Sequence, residues 1–212
     1  MEKLLEDIKN TVIAGKHLEI ETLVKNAVQQ KMDLNDLINN AFIAAMDVVG
    51  ERFSKSEIFV PEMLVSAVTM KKGLHIVKPL LKKAEQKARG RVILCTVKGD
   101  LHDIGKNLVA MMLECAGFEV IDLGVDATVE KVVDKVAEIS PQILGLSALL
   151  TTTMPEMQNV IKVLQTRGMR EKVKVIVGGA PVDAEFAEKI EADAYGKDAA
   201  DAVNIVRSFT GK

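Results

Sequence analysis

Near residue 89 the spacing of apolar residues changes period, and that change limits the fold more than any other feature of the chain. Residues 1 to about 88 carry apolar residues at helical spacing and no convincing strand pattern. Leu4, Leu5, Ile8, Val12 and Ile13 mark one helix, and Ile20, Leu23, Val24, Ala27 and Val28 a second. Asp33 fits the N-cap of a third, which carries Leu37, Ile38, Ala41, Ala45 and Val48. A fourth begins around Pro61, a residue favoured in the first helical turn, and runs through Leu64, Val65 and Val68. Four helices with short joins predict an antiparallel bundle. The segment "LKKAEQKARGR" (81 to 91) is charged and has no apolar stripe, so it reads as a helix end and a linker. The expected domains are therefore 1–88 and 89–212.

Beyond the boundary, apolar runs rich in β-branched residues alternate with amphipathic segments. "RVILCTV" (91 to 97), "FEVIDLG" (118 to 124), "QILGLSA" (142 to 148) and "VKVIVGG" (173 to 179) read as buried parallel strands, with "ADAYG" (192 to 196) as a fifth. Helical patterns fall at about 104–116, 128–139, 154–168, 183–190 and 198–208. The alternation predicts a doubly wound, Rossmann-like or flavodoxin-like parallel sheet. Such sheets bind ligands in the crevice beyond the carboxyl ends of their strands, where the stretch after residue 97, Ser147, and Gly178 with Gly179 all converge.

Charge and cysteine content narrow the function classes. With 28 Lys and Arg against 30 Asp and Glu, the formal charge is −2, which supplies no electrostatic reason for a nucleic-acid or anionic-membrane partner. The start, "MEKLLEDIKN", is charged and helical in period, unlike a signal peptide, and no apolar run is long enough to span a bilayer. Cys95 and Cys115 make neither a metal cluster nor a disulfide framework, so a reducing cytoplasm is the expected setting. The ten methionines read first as flexible core filler.

One stretch carries chemistry: "VKGDLHDIGKN", Val97 to Asn107. A lone histidine in a strand-to-helix loop is ordinarily solvated or caps the helix. Here Asp100 precedes His102 by two residues, so it can bond one ring nitrogen and fix the tautomer while the other nitrogen points at a metal. His17 and His75 belong to the helical half and no thiolates cluster, so an all-protein coordination sphere is hard to assemble. The metal would have to bring most of its own ligands, as a macrocycle does. A phosphate loop is the nearest rival, but Gly105-Lys106-Asn107 fails the Walker pattern at the hydroxyl position, and Asp100 and Asp103 would repel phosphate. A phosphoacceptor receiver domain needs an acidic pair and an acceptor on different strands, which cannot be assembled from this sequence.

Asp100-x-His102-x-x-Gly105, Ser147-x-Leu149 and Gly178-Gly179 together resemble the signature of cobalamin-binding domains that hold the corrin base-off/His-on. "MDVVGERFSKSEIFVPEMLVSAVTM" (46 to 70) resembles the methylcobalamin cap module of methionine synthase and of small corrinoid proteins. Nearly the whole chain is thus similar to the corrinoid methyl carriers of methylamine, methanol and O-demethylase methyltransferase systems.

That resemblance implies cobalamin as cofactor and His102 as its lower cobalt ligand, with Asp100 bonded to it and the hydroxyl of Thr153 continuing the relay. Methionine synthase has Ser at the position of Thr153. It further implies cofactor contacts from Gly99, Leu101, Asp103, Gly105, Ser147, Leu149, Thr151, Gly178 and Gly179, with Gly105 giving clearance and the last two glycines a channel for the nucleotide tail. Phe53, Val60 and Met63 of the cap would shield the methyl group. The expected function is a shuttle between a substrate-specific methyltransferase and a second one that uses a thiol or tetrahydrofolate-type acceptor, with a reductive activase as a further candidate partner. Protonation of the relay would loosen the axial bond. The carrier would not be catalytic alone, and the linker from Ala84 to Arg91 would let the cap swing aside.

A cobalamin-dependent sensor or regulator shares the two modules and is the main alternative. Sensors add a DNA-binding or signalling domain, whereas here the cap pattern starts at residue 2 and the last helix pattern ends near 208, so no such domain is expected. A mutase subunit would lack the cap.

Overall fold

A computed structural model describes residues 1–81 and 88–211, which divide into two compact units. Met1–Ala88 and Cys115–Gly117 form the first, and Arg89–Glu114 with Phe118–Lys212 the second. The proposed linker falls largely on 82–87, outside the described residues.

The first unit is helical. α1 (Glu2–Ile13), α2 (Ile20–Gln29), a long third helix and α5 (Val60–Val77) pack through the apolar stripes that the sequence lays down. Ile8, Val12, Ile20, Val24, Ala27, Phe42, Met63 and Met70 are buried. The third helix starts where Asp33 caps it, Oδ1 accepting from Asp36 N at 2.8 Å. It runs as α3 (Leu34–Asp36), a π-helical stretch (Leu37–Ile43) and α4 (Ala44–Ser54). Sequence periodicity does not anticipate the π stretch. α5 has Pro61 in its first turn, and Phe59 N donates to Glu62 Oε2 at 2.9 Å.

The second unit is a five-stranded, wholly parallel sheet: β1 (Arg91–Thr96), β2 (Glu119–Asp122), β3 (Ile143–Ser147), β4 (Lys174–Gly178) and β5 (Ala194–Gly196), in the order β2-β1-β3-β4-β5. Each strand leads into a helix: α6 (Ile104–Cys115), α7 (Val129–Ile139), α8 (Met154–Thr166), α9 (Ala184–Lys189) and α10 (Ala199–Thr210). The three central strands are nearly all buried, which is why they read as apolar runs, while edge strand β2 is not. α7, α8 and α9 bury Val132, Val133, Val136, Met157, Val160, Ile161, Leu164 and Ala187 in one cluster with Ile93, Cys95, Leu144, Val175 and Val177. Burial holds the Cys95 thiol as an inert core group, its pKa pushed up to about 12, with the charge of Asp122 adding to the effect. Among the described residues no helix is long and apolar enough to cross a membrane.

Two consequences for the site follow from the strand order. From β1 the chain crosses to β2 on one side, and from β3 to β4 on the other, so the loops after β1 and β3 open a crevice at the switch point. Register sets Thr96 beside Ser147 and Ser147 beside Gly178, which brings the carboxyl ends of three strands level.

Just past β4, Gly179 has φ +127°, and a Cβ there would lie 1.9 Å from the carbonyl oxygen of Ala148. At Gly178 a Cβ would come within 2.9 Å of the Gly196 carbonyl oxygen. The small residues expected to make room for a ligand are therefore already demanded by the chain's own backbone. Gly179→Ala is expected to lower the unfolding free energy of the cofactor-free protein by about 2 kcal/mol or more, measured by urea denaturation.

Candidate functional site

Loop 97–103 leaves β1, and its shape is set by hydrogen bonds before any ligand enters. Val97 N donates to Ser147 O at 3.0 Å, and Asp100 N returns to Val97 O at 3.2 Å. Gly99 turns the chain at φ +81°, a conformation open to glycine, and its N–H donates to Asp126 Oδ1 at 2.7 Å. Asp126 N in turn donates to Asp100 O at 3.0 Å. The buried hydroxyl of Thr96 donates to His102 O at 2.8 Å.

Asp100 is wholly buried, and both carboxylate oxygens are saturated. Oδ1 accepts from His102 Nδ1 at 2.7 Å and His102 N at 3.1 Å. Oδ2 accepts from Leu149 N at 2.7 Å, Leu150 N at 3.2 Å and Thr153 Oγ1 at 2.8 Å. Burial pushes this carboxyl up, but the bonds from Leu149, His102 and Thr153 outweigh it and hold the group well below the usual carboxylate range. Asp100 is accordingly ionised at neutral pH. A carboxylate can only accept, so the proton in its short contact with the imidazole belongs to Nδ1, and the lone pair of the neutral ring is on Nε2.

His102 itself is half exposed, 51% at the side chain, and among the described residues nothing hydrogen-bonds Nε2. The loops after β1 and β3 and the start of α6 expose aliphatic side chains: Leu101 is 72% exposed and Ile104 85%, with Leu149 and Leu150 also exposed. An imidazole nitrogen without a protein partner, on loops that also expose aliphatic side chains, suits one bond to a metal that brings most of its own ligands. Among the described residues no three His, Cys, Asp or Glu side chains gather as a metal cluster.

The expected residues divide into those that meet and those that do not. Asp100, His102 and Thr153 form one connected chain, with Leu149 contributing its backbone N–H and its side chain. Thr153 Oγ1 also lies 2.9 Å from Leu150 O, so its single proton has two acceptors. Thr151 is exposed in the turn and touches none of this network. Asp103 bonds its own helix, Oδ2 accepting from Asn107 Nδ2 at 2.9 Å. A Cβ at Gly105 would have nothing within 4 Å, which leaves open space beside the loop. Ser147 ends β3, half buried. In the helical unit, Val60 is exposed, Phe53 half buried and Met63 buried.

Sequence reasoning missed Asp126, which fixes Gly99, and Leu150, which acts through its backbone. It also missed the ion pair of Lys106 with Asp122. Backbone donors leave no side-chain signature, but Lys106 was visible as the cation of the failed phosphate motif.

Two family models, each described as B12 binding domain, match the chain, one over residues 90–204 and the other over residues 4–78. A corrinoid protein of Desulfitobacterium hafniense strain Y51 is 38% identical over 212 residues, covering 99% of this chain and 98% of its own. Trimethylamine corrinoid protein 1 of Methanosarcina acetivorans is 42% identical over 188 residues, 88% of this chain and 87% of its own. A chain in the crystal structure of the methanol:cobalamin methyltransferase complex from Methanosarcina barkeri superposes with a TM-score of 0.90 at 31% identity, covering 100% of this chain and 81% of that one.

Asp100 has its pKa lowered by folding, so its ionised form stabilises the native state. That contribution is complete above the unfolded-chain pKa of about 3.9 and is lost as pH falls through it toward the folded value. The gap in unfolding free energy between wild type and Asp100→Asn is therefore expected to be full above about pH 5 and to narrow steadily below about pH 4, as read from denaturation midpoints across that range.

Proposed function

This chain belongs to the family of B12-binding corrinoid proteins, and from that premise we propose that it is a methyl carrier that holds cobalamin base-off/His-on. The observation that carries the reading is the chain Thr153–Asp100–His102, which ends in a half-exposed imidazole with an unengaged Nε2, on loops that also expose aliphatic side chains. These residues fit the group. Cobalamin supplies a cobalt centre that accepts a methyl group from one partner and yields it to another, chemistry that no side chain here provides.

The chain's own residues hold and tune that centre. His102 would hold the cobalt through Nε2, and Asp100 fixes the ring's tautomer and direction. With Asp100 held ionised and Thr153 bonded to it, a carboxylate is not the relay member that takes up a proton near neutral pH. The exposed side chains of Leu101, Ile104, Leu149 and Leu150 would give the cofactor apolar contact, and Gly105 leaves the loop side open. In this reading residues 89–212 are the cobalamin-binding domain and residues 1–88 the cap, to which Phe53, Val60 and Met63 would contribute ring contacts. Of these three Val60 is the exposed one.

The proposed partners are a substrate-specific methyltransferase and an acceptor methyltransferase working on a thiol or tetrahydrofolate-type acceptor. A methyltransferase partner is supported by the relative seen in the methanol:cobalamin methyltransferase complex, whose fold this chain shares.

The test is spectroscopic. Protein loaded with cobalamin and reduced to Co(II) is expected to show hyperfine splitting from a histidine nitrogen, altered by 15N-histidine labelling and absent in His102→Ala. An unchanged spectrum in His102→Ala would overturn the reading.

A further inference from the structure

Lys106 has no part in the reading above, yet its side chain is only 2% exposed. A buried ammonium is costly unless it is paired and hydrogen-bonded, so its partners show what it is for. Nζ forms an ion pair with Asp122 Oδ2, at the end of β2, and donates to Asn107 Oδ1 at 2.7 Å. The other oxygen of Asp122 accepts from Gly124 N at 2.8 Å, which fixes the carboxylate on its own loop.

The path continues toward the site. With Oδ1 committed to Lys106, Asn107 turns Nδ2 to Asp103 Oδ2 at 2.9 Å, while its backbone N–H donates to Asp103 O at 2.8 Å. Asp103 is covalently joined to His102. An unbroken run of groups thus leads from the carboxyl end of β2, through a buried cation and an oriented amide, to the residue that follows the imidazole. Along it the charges alternate, Asp122 negative, Lys106 positive and Asp103 negative, so the amide dipole of Asn107 is aligned from both ends. Asp100 fixes the ring of His102 from one side, and this run fixes the backbone that carries it from the other.

We infer that Lys106 and Asp122 are a positioning pair for His102, holding the first turn of α6 so that Nε2 faces outward in one orientation. The inference rests on the reading of His102 as the lower cobalt ligand. It makes Lys106 a fixed structural cation and Asp103 part of the run rather than a contact of the cofactor.

Two readouts separate positioning from plain stability. In 15N-histidine-labelled, cobalamin-free protein, the His102 ring is expected to show a single tautomer protonated at Nδ1. Lys106→Met is expected to lose that single pattern and to weaken hydroxocobalamin binding about tenfold, with Asp122→Asn changing both in the same direction and Lys106→Arg recovering part of the loss. If Lys106→Met does not fold by circular dichroism, Asp122→Asn decides. A folded variant that keeps the wild-type ring pattern and binds hydroxocobalamin within twofold of wild type overturns the inference. His102→Ala in the same titration keeps the two ideas apart. Wild-type affinity in that variant would sink the axial-ligand reading, while the ring pattern of the cofactor-free protein still decides the positioning.

Discussion

The second unit's functional end depends on one buried carboxylate. Five donors, two from His102 and one each from Leu149, Leu150 and Thr153, converge on Asp100. Hydrogen bonds to a charged group contribute about 1.5–3 kcal/mol each, enough together to offset taking a carboxylate out of water. Removing one donor exposes the rest of that cost. The imidazole's direction, the tautomer and the turn after β3 are therefore consequences of satisfying one charge.

Topology explains why the donors come from these places. Two of the loops that follow parallel strands meet only where the winding direction reverses, and here that point lies between β1 and β3. The strands bring Thr96 level with Ser147, so the residues a few positions beyond each must face one another. The helices then start on either side of the crevice, α6 just after His102 and α8 just after Thr153.

Much of this was legible in the sequence, for identifiable reasons. Strand positions followed from unbroken β-branched runs, which central parallel strands need because both faces are covered. The start of the third helix followed from Asp33, whose side chain accepts from the first turn; Thr128, Asp183 and Asp198 cap their helices in the same way, as the structure shows. The pairing of Asp100 with His102 was readable because two residues' separation in a loop already puts them within reach. That Thr153, and not Thr151 or Thr152, meets Asp100 came from resemblance alone, since three successive hydroxyls have no period to distinguish them. The burial of Lys106 and its pairing were not readable, because lysine is ordinarily exposed and its partner lies sixteen residues away at the end of β2. The reason for Gly178 and Gly179 was also hidden, since it is a backbone atom of a neighbouring strand end, which composition does not record.

Leu149 and Leu150 reach Asp100 across 49 and 50 residues of chain, and Thr153 across 53. No local segment can assemble this cradle, because each of those closures costs loop entropy that only the paired sheet repays. The donors from beyond β3 reach Asp100 only when β3 is paired with β1, so the direction of the imidazole depends on the register of the sheet. A chain that ended before residue 147 would lack three of the five donors that hold Asp100.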